Sequence, residues 1–263
     1  MTDILEQEQP GWIKSKWPAP ASLNAGTSTR LYGYSQGNYD SLNLGDHVED
    51  DPDLVQINRR HLADVHNLPT EPFWLKQVHG NKILNLDDHD PEQKSADNNI
   101  ADGVFTTKPG VVCGILTADC LPILISNETG TEIAALHAGW RGLAAGIIEK
   151  AIPMFSSSPE SLMVWMGPAI SARNYEIDSE VKSAFDHIEN ILEQDTFIPT
   201  DRNHWLVSLY RIAMLILKAQ GIERIHGGQY CTYRDADLFY SHRRDGAKTG
   251  RMASMIWMEP QAT

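Results

Sequence analysis

The fold is decided by residues 111–142, VVCGILTADCLPILISNETGTEIAALHAGWRG. Residues 111–116 and 121–125 are short apolar runs rich in β-branched side chains, a pattern that predicts buried strands. After an NETG turn, residues 133–136 form a third apolar run. Apolar residues then recur at helical spacing over residues 143–154. The predicted order is therefore three strands, a glycine-containing loop and a helix.

Polar side chains stand where these predicted strands end. Asp119 and Cys120 interrupt the apolar stretch between the first two strands, and buried polar groups there need partners. His137 ends the third strand, and His79 ends another predicted strand over residues 73–79. Because equivalent strand ends can meet at one edge of a sheet, we expect the thiol and the two imidazoles to converge. Thiolate and imidazole are ligands that zinc prefers.

A structural alternative explains the same three residues. Their spacing matches no zinc finger, whose ligands come in close pairs. A buried cysteine is usually a small hydrophobic group, and a lone histidine is more often hydrogen-bonded in the core than bound to a metal. The pattern alone therefore leaves both interpretations open.

Composition limits the classes of function. A chain of 263 residues can bury a large core, and three cysteines are too few for a secreted disulfide framework, so we expect a cytoplasmic protein. The first residues are acidic and predict no secretory signal, and the longest apolar run is too short to span a membrane. A net charge of −13 opposes binding to nucleic acid or to anionic membranes. Small-molecule ligands are favoured as partners, and no obligate protein partner is evident.

The remaining pattern predicts one domain over residues 1–263, because no repeat, low-complexity tract or long linker divides the chain. An α/β domain with a mixed sheet is the simplest architecture. We predict an exposed loop, helices and further strands over the following ranges: loop 87–99; helices 54–65, 178–188 and 209–217; strands 162–166, 222–226 and 252–258.

Basic residues cluster near the C-terminus of this acidic chain, at Arg234, Arg243, Arg244, Lys248 and Arg251. If folding keeps them together, they would form a local pocket for an anion. The alternative, which we favour for most of these residues, is surface ion pairing with the aspartates interspersed among them. A second candidate anion site is the predicted helix start after residues 139–142, where backbone N–H groups lie beside an arginine.

Five motifs resemble one known family in the order in which they occur there: KQVHG at 76–80, TADCLP at 117–122, HAGWRG at 137–142, GPAI at 167–170 and SHRRDG at 241–246. The sequence resembles the laccase-domain family from about residue 27 to 258. This family is also called the multicopper polyphenol oxidases, and its members are now mostly described as purine nucleoside phosphorylases with adenosine deaminase activity. The resemblance implies an α+β fold of layered α/β/β/α type. It also implies a catalytic zinc site at His79, Cys120 and His137.

The resemblance suggests substrate-binding and phosphate-binding residues as well. It places Arg30 and Asn43 near the metal site, and Gln77 and Arg141 belong to its motifs. On sequence grounds a buried ion pair for Arg141 and a strand-end hydrogen bond for Gln77 remain alternatives. The chain departs from the family pattern in two places, with Ser28 where threonine is common and with Asn174 where cysteine often precedes Tyr175. Neither departure touches the three implied ligands.

Four functional hypotheses follow. The leading one is a zinc-dependent enzyme that phosphorolyses adenosine, inosine, guanosine and methylthioadenosine-type nucleosides and deaminates adenosine to inosine. The second is copper-dependent oxidation of polyphenols, since N/S ligand sets also bind copper. However, the ten histidines include no His-x-His pair of the kind expected for a multicopper cluster. The third is hydrolytic editing of a peptidoglycan precursor, and the fourth is a noncatalytic metal-binding protein.

Overall fold

Two stacked β-sheets and a small third sheet form the framework of the protein. The computed structural model describes residues 11–88, 99–188, 191, 196–201 and 203–260. Its strands are β1 Trp12–Lys14, β2 Leu23–Ser28, β3 Ile83–Asn85, β4 Gly103–Thr106, β5 Val112–Thr117, β6 Leu121–Asn127, β7 Ile133–Ala138, β8 Leu162–Met166, β9 Glu176–Ile177, β10 Phe197–Pro199, β11 Trp205–Val207, β12 Arg224–Gly227 and β13 Met252–Met258.

Helices lie outside these sheets. They are α1 Pro52–His66, α2 Trp140–Ala144, α3 Ile147–Ala151, α4 Ser179–Ser183, α5 Leu209–Ala219 and α6 His242–Asp245, with 3₁₀ turns at Gly37–Tyr39, Ile152–Met154, Pro159–Ser161 and Ala172–Asn174. None of the helices in the described ranges has the length and apolar character needed to cross a membrane.

The larger sheet has the strand order β12-β8-β6-β7-β4-β3. Its centre is antiparallel, whereas β12 and β3 pair in parallel with β8 and β4, so the sheet is mixed. The second sheet, β1-β2-β13-β5, is antiparallel throughout. In this sheet the last strand of the chain, β13, lies between β2 and β5. The N-terminal and C-terminal strands therefore pair next to β5, which belongs to residues 111–142.

Alternation along the strands sorts side chains into layers. In β13, Met255 and Trp257 pack with Leu62 of α1, whereas Ile256 points the other way, into the core between the two large sheets. In β6, Leu124 enters that same inter-sheet core, and its neighbour Ile123 packs on the opposite face with residues of α3 and α5. The order of layers is helix, sheet, sheet, helix. This confirms the layered α/β/β/α, α+β fold with mixed strand directions that the resemblance implied.

Local capping explains where the helices begin. The side chain of Asp51 accepts a hydrogen bond from Asp53 N at the start of α1, and that of Ser208 accepts one from Arg211 N at the start of α5. Both helices match predicted ranges. The helix predicted over residues 143–154 is instead broken into α2, α3 and a 3₁₀ turn, because Gly146 adopts a left-handed conformation with φ of 80°.

Two other predictions require correction. Residues 73–79 form only isolated bridges, at Phe73 and Lys76, instead of a strand. The helix expected over residues 178–188 has only the five residues of α4. Of the predicted loop over residues 87–99, positions 89–98 lie outside the described residues.

Candidate active site

The pairing of β6 with β7 brings a thiol and an imidazole together. Their antiparallel register sets Leu121 opposite Ala138 and Pro122 opposite His137, so Cys120, one residue before β6, lies beside the end of β7. The 73–80 segment adds His79, whose ring lies edge-on to that of His137 with 4.7 Å between centroids. One ligand atom from each of His79, Cys120 and His137 lies within 4.8 Å of the other two. Residues distant in sequence thus form a three-residue group that could hold a metal ion.

The backbone around this group is unusual. His79 and Asp119 both adopt positive φ angles, 60° and 97°, and left-handed conformations cost non-glycine residues about 1–3 kcal/mol each. Gly139 lies so close to the thiol that an added Cβ would stand 2.8 Å from Cys120 Sγ. Strained backbone conformations and a close contact with the thiol are therefore found where the candidate ligands meet.

The fully buried carboxylate of Asp102 holds two of the candidate ligands in place. Its Oδ1 accepts hydrogen bonds from His79 N and from His137 Nδ1, both at 2.8 Å. Its Oδ2 accepts from Gly80 N at 2.7 Å and from Val78 N at 3.2 Å. With Nδ1 donating to the carboxylate, His137 keeps Nε2 for another partner. A histidine fixed by a carboxylate in this way is the usual arrangement behind a metal-binding imidazole.

Electrostatics in the group favour a thiolate. Burial would raise the pKa of Cys120, but the charge of His137 and hydrogen bonds from His137 and His79 outweigh it and lower that pKa to about 6. Burial would lower the pKa of His137, yet the nearby thiolate and Asp102 raise it to about 9. Without a metal, these shifts favour a thiolate–imidazolium pair. A metal ion would replace the imidazolium proton as the positive charge beside the sulfur.

A cavity of about 380 Å³ opens beside the three candidate ligands. Its wall is partly apolar, with Leu116, Ile170, Leu209 and the buried ring of Tyr175. The polar part carries positive side chains from three separate segments, listed in order along the chain: Arg141, Arg243 and Arg251. None of the eight ion pairs found among the described residues involves these arginines. Although the net charge of the protein is −13, its cavity contains arginines that form no ion pair with a carboxylate among the described residues.

Aromatic rings and a backbone carbonyl orient two of the three arginines. Arg141 lies over the ring of Trp140, with its Cζ 4.2 Å from the centroid. Arg243 lies over the ring of Tyr175 at 5.0 Å and donates from Nη1 to the carbonyl of Glu176 at 3.0 Å. Stacking and carbonyl contacts orient a guanidinium without neutralising its charge.

Two of the four residues expected to bind substrate or phosphate line this cavity, namely Gln77 and Arg141. The amide of Gln77 is paired with the backbone of Leu116, donating from Nε2 at 2.8 Å and accepting at Oε1 from the Leu116 N–H at 2.7 Å. These bonds tie the His79 segment to β5. They also explain why residues 73–79 form no regular strand, because the side chain takes up backbone groups of β5 that a strand would use.

The other two expected residues, Arg30 and Asn43, lie outside the cavity lining. The guanidinium of Arg30 donates from Nε and Nη2 to the carbonyl of Asp40 and stacks on Tyr240. Asn43 is fully buried, and its Oδ1 accepts a hydrogen bond from the backbone of Arg251. Both side chains support segments next to the cavity.

The basic cluster near the C-terminus divides between the two predicted alternatives. Arg234 and Arg244 pair with Asp235 and Asp245, and Lys248 pairs with Glu49. Arg243 and Arg251 instead line the cavity.

Sequence reasoning missed several cavity residues and the residue that organises them. Tyr175, His47 and His242 line the cavity, and Asp102 lies behind the candidate ligands. Asp102 had a detectable signal, because it stands alone between Ile100-Ala101 and Gly103-Val104, as Asp119 stands within its own apolar stretch. The contact of Tyr175 with the cavity had no such local signal.

Comparisons with known proteins agree with this architecture. The family model for multi-copper polyphenol oxidoreductase laccase matches residues 24–259. Purine nucleoside phosphorylase YfiH of Escherichia coli is 44% identical over 246 residues, which cover 94% of this chain and 98% of that protein. A purine nucleoside phosphorylase of Pseudomonas aeruginosa is 43% identical over 94% of this chain and 98% of its own length. A crystal structure of a Neisseria meningitidis protein superposes with a TM-score of 0.88 at 39% identity, covering 95% of this chain and 100% of that one.

Proposed function

The chain belongs to the multi-copper polyphenol oxidoreductase laccase family, and we propose that this member is a zinc-dependent purine nucleoside phosphorylase that also deaminates adenosine to inosine. The names of its relatives support phosphorylase chemistry. The main support for the proposal is that His79, Cys120 and His137 meet beside one cavity. The arginines of that cavity form no ion pair with a carboxylate among the described residues. Adenosine, inosine, guanosine and methylthioadenosine-type nucleosides are the proposed substrates.

Zinc is the metal we propose for the three ligands. Two imidazoles and one thiolate match its preferences, and Asp102 fixes His137 in the tautomer that leaves Nε2 for a metal. A zinc ion with three protein ligands keeps an open position and supplies Lewis acidity and a water of lowered pKa. With its sulfur bound to the ion, Cys120 would not act as a nucleophile.

The cavity wall suits a flat base next to an anion. Leu116, Ile170, Leu209 and the ring of Tyr175 provide apolar surface for a purine. Phosphorolysis breaks the bond between ribose C1′ and the purine nitrogen and forms a bond from C1′ to a phosphate oxygen, while the departing base takes up a proton. The phosphate must be held despite the acidic character of the whole chain, and Arg141 is a candidate for that contact.

Deamination needs no phosphate. It replaces the C6 amino group of adenosine with oxygen from water and releases ammonia. Arg30 and Gln77 are proposed to act on both reactions indirectly, by holding the segments that carry cavity residues.

Copper-dependent oxidation of polyphenols is the second candidate, favoured by the description of the family. A thiolate with two imidazoles also binds copper well. However, this triad is the only group of three or more potential His, Cys, Asp or Glu ligands found within the described residues. A multicopper oxidase needs further copper sites, so we rank this function second.

Product analysis tests the proposal. Zinc-loaded protein is incubated with adenosine or inosine, with and without phosphate, and in parallel with a phenol under air. We expect free base and ribose 1-phosphate only when phosphate is present, and inosine from adenosine in either buffer. Oxygen uptake with the phenol and no change in the nucleosides would instead support the oxidase.

A further inference from the structure

The backbone of Arg251 is clamped to the segment that carries Asn43. The Oδ1 of Asn43 accepts hydrogen bonds from Arg251 N and from Gly45 N, both at 2.9 Å. The Leu44 N–H in turn donates to the carbonyl of Arg251 at 3.2 Å. Asn43 Nδ2 completes the arrangement by donating to Asp50 Oδ2 at 2.8 Å. The buried amide of Asn43 thus fixes the position of a residue 208 places away in the sequence.

The side chain of Arg251 leaves this clamp and enters the cavity wall. Its Nη1 donates to the carbonyls of Thr249 at 2.8 Å and Gly250 at 3.0 Å, which uses both Nη1 protons. Its Nε and Nη2 form no hydrogen bond with any described residue. They are the two nitrogens along one edge of a guanidinium that can hold an oxyanion in a bidentate contact.

The charge of Arg251 forms no ion pair with a carboxylate of any described residue. It takes part in none of the ion pairs found among the described residues, although the side chain is half-buried. Burial lowers its pKa, and the charges of Cys120 and Asp119 oppose that shift, which places the guanidinium within the field of the candidate metal group. Buried charges are normally paired, so this site favours a bound anion.

We infer that Arg251 binds inorganic phosphate through its Nε and Nη2 edge and that Asn43 is a positioning residue acting through Arg251. The inference rests on the proposed function, because it assigns the co-substrate of the phosphorolysis.

Phosphate titrations of purified zinc-loaded variants test the inference. Arg251→Gln removes the charge, Arg251→Lys keeps the charge without the planar edge, and Asn43→Ser removes the acceptor for Arg251 N. Lys248→Gln is the matched control, because that lysine is exposed and paired with Glu49 outside the cavity. Zinc content and the thermal midpoint without phosphate show whether each variant is folded.

Losing a charge-assisted contact should raise the KM for phosphate about ten- to a hundredfold in Arg251→Gln, with the KM for nucleoside changed by less than about threefold. Arg251→Lys should fall between this variant and the wild type. Asn43→Ser should shift the phosphate KM in the same direction, and Lys248→Gln should leave both constants unchanged. If Arg251→Gln does not fold, Arg251→Lys decides the question.

Calorimetric titration with inorganic phosphate distinguishes failure of the anion-site inference from failure of the proposed phosphorylase function. Wild-type protein that releases no ribose 1-phosphate would reject the phosphorylase function, yet loss of phosphate binding in the Arg251 variants would still support the anion site. A folded Arg251→Gln protein whose affinity and KM for phosphate equal those of the wild type would overturn the inference. Equal rises in the KM values for nucleoside and phosphate in Asn43→Ser would assign that residue a merely structural role.

Discussion

Replacing Asp102 with asparagine should weaken both the fold and the metal site, because the carboxylate accepts hydrogen bonds from four donors. These are His79 N, Gly80 N, Val78 N and His137 Nδ1, at 2.7–3.2 Å. Asparagine keeps one acceptor oxygen and gains an NH₂ group. If the oxygen stays with His79 N and His137 Nδ1, the new NH₂ faces the N–H groups of Gly80 and Val78.

The expected magnitude follows from those two orphaned donors. Each buried, unsatisfied N–H costs about 1–3 kcal/mol, so Asp102→Asn should lose about 2–6 kcal/mol of unfolding free energy. That is a large part of a typical total of about 5–15 kcal/mol. Loss of the carboxylate behind His137 should also reduce zinc affinity about ten- to a hundredfold.

Two assays separate these effects. Denaturant unfolding gives the free energy, and competition with a chelator gives the zinc affinity of the folded protein. Asp87→Asn is the control, since Asp87 also accepts several hydrogen bonds, from Thr106 and Thr107, but lies outside the cavity. It should lose stability and keep zinc. Asp102→Asn protein with wild-type zinc affinity would refute the role that we assign to the carboxylate.

Four further predictions concern the metal, the anion and pH. Cys120→Ala should purify with far less zinc than the wild type, as measured by elemental analysis, and equal zinc in both would remove this ligand from the site. Arg141→Ala should impair phosphorolysis more than deamination by about 1.5–3 kcal/mol, or ten- to a hundredfold, in product chromatography across a phosphate titration; an equal loss of both reactions would mark the residue as structural. Zinc-loaded, copper-free protein should leave phenols unchanged in an oxygen electrode, whereas rapid oxygen uptake would contradict the zinc assignment. Burial, followed by the charge of His61, lowers the pKa of His66 from its ordinary value of 6.5 to about 4, so unfolding free energy that is present above pH 6.5 should be lost as pH falls towards 4. His66→Gln should flatten the plot of unfolding free energy against pH between these two values. An unchanged slope would exclude His66 as the source of the pH dependence.

Sequence patterns predicted the features that depend on neighbouring residues. The three apolar runs of residues 111–142 became β5, β6 and β7, and the position of Cys120 and His137 at strand ends was visible in the same stretch. Antiparallel pairing of β6 with β7 then brought these two residues together. The helix after them was predicted as continuous because its spacing is helical, but the left-handed conformation of Gly146 interrupts it.

Features that depend on distant contacts could not be predicted in this way. The bond between Asn43 and Arg251 joins opposite ends of the chain, and nothing in either local sequence indicates the other. The segment that contains Gln77 was wrongly predicted as a strand, because the amide of Gln77 bonds to the backbone of β5. The arginines of the cavity come from three separate segments. The sequence favoured surface ion pairing for most of the C-terminal cluster, and only the fold separated Arg243 and Arg251 from their aspartate-paired neighbours.

The central claim is that the triad and the cavity arginines serve one phosphate-dependent reaction on a purine nucleoside. The most direct measurement follows the products formed from inosine by zinc-loaded protein as phosphate is added, using chromatography for hypoxanthine and ³¹P NMR for ribose 1-phosphate. We predict that both products appear in equal amounts, that their rate saturates with phosphate, and that removing zinc with a chelator abolishes them. Hypoxanthine released without phosphate, or an unchanged rate after the metal has been removed, would contradict the claim.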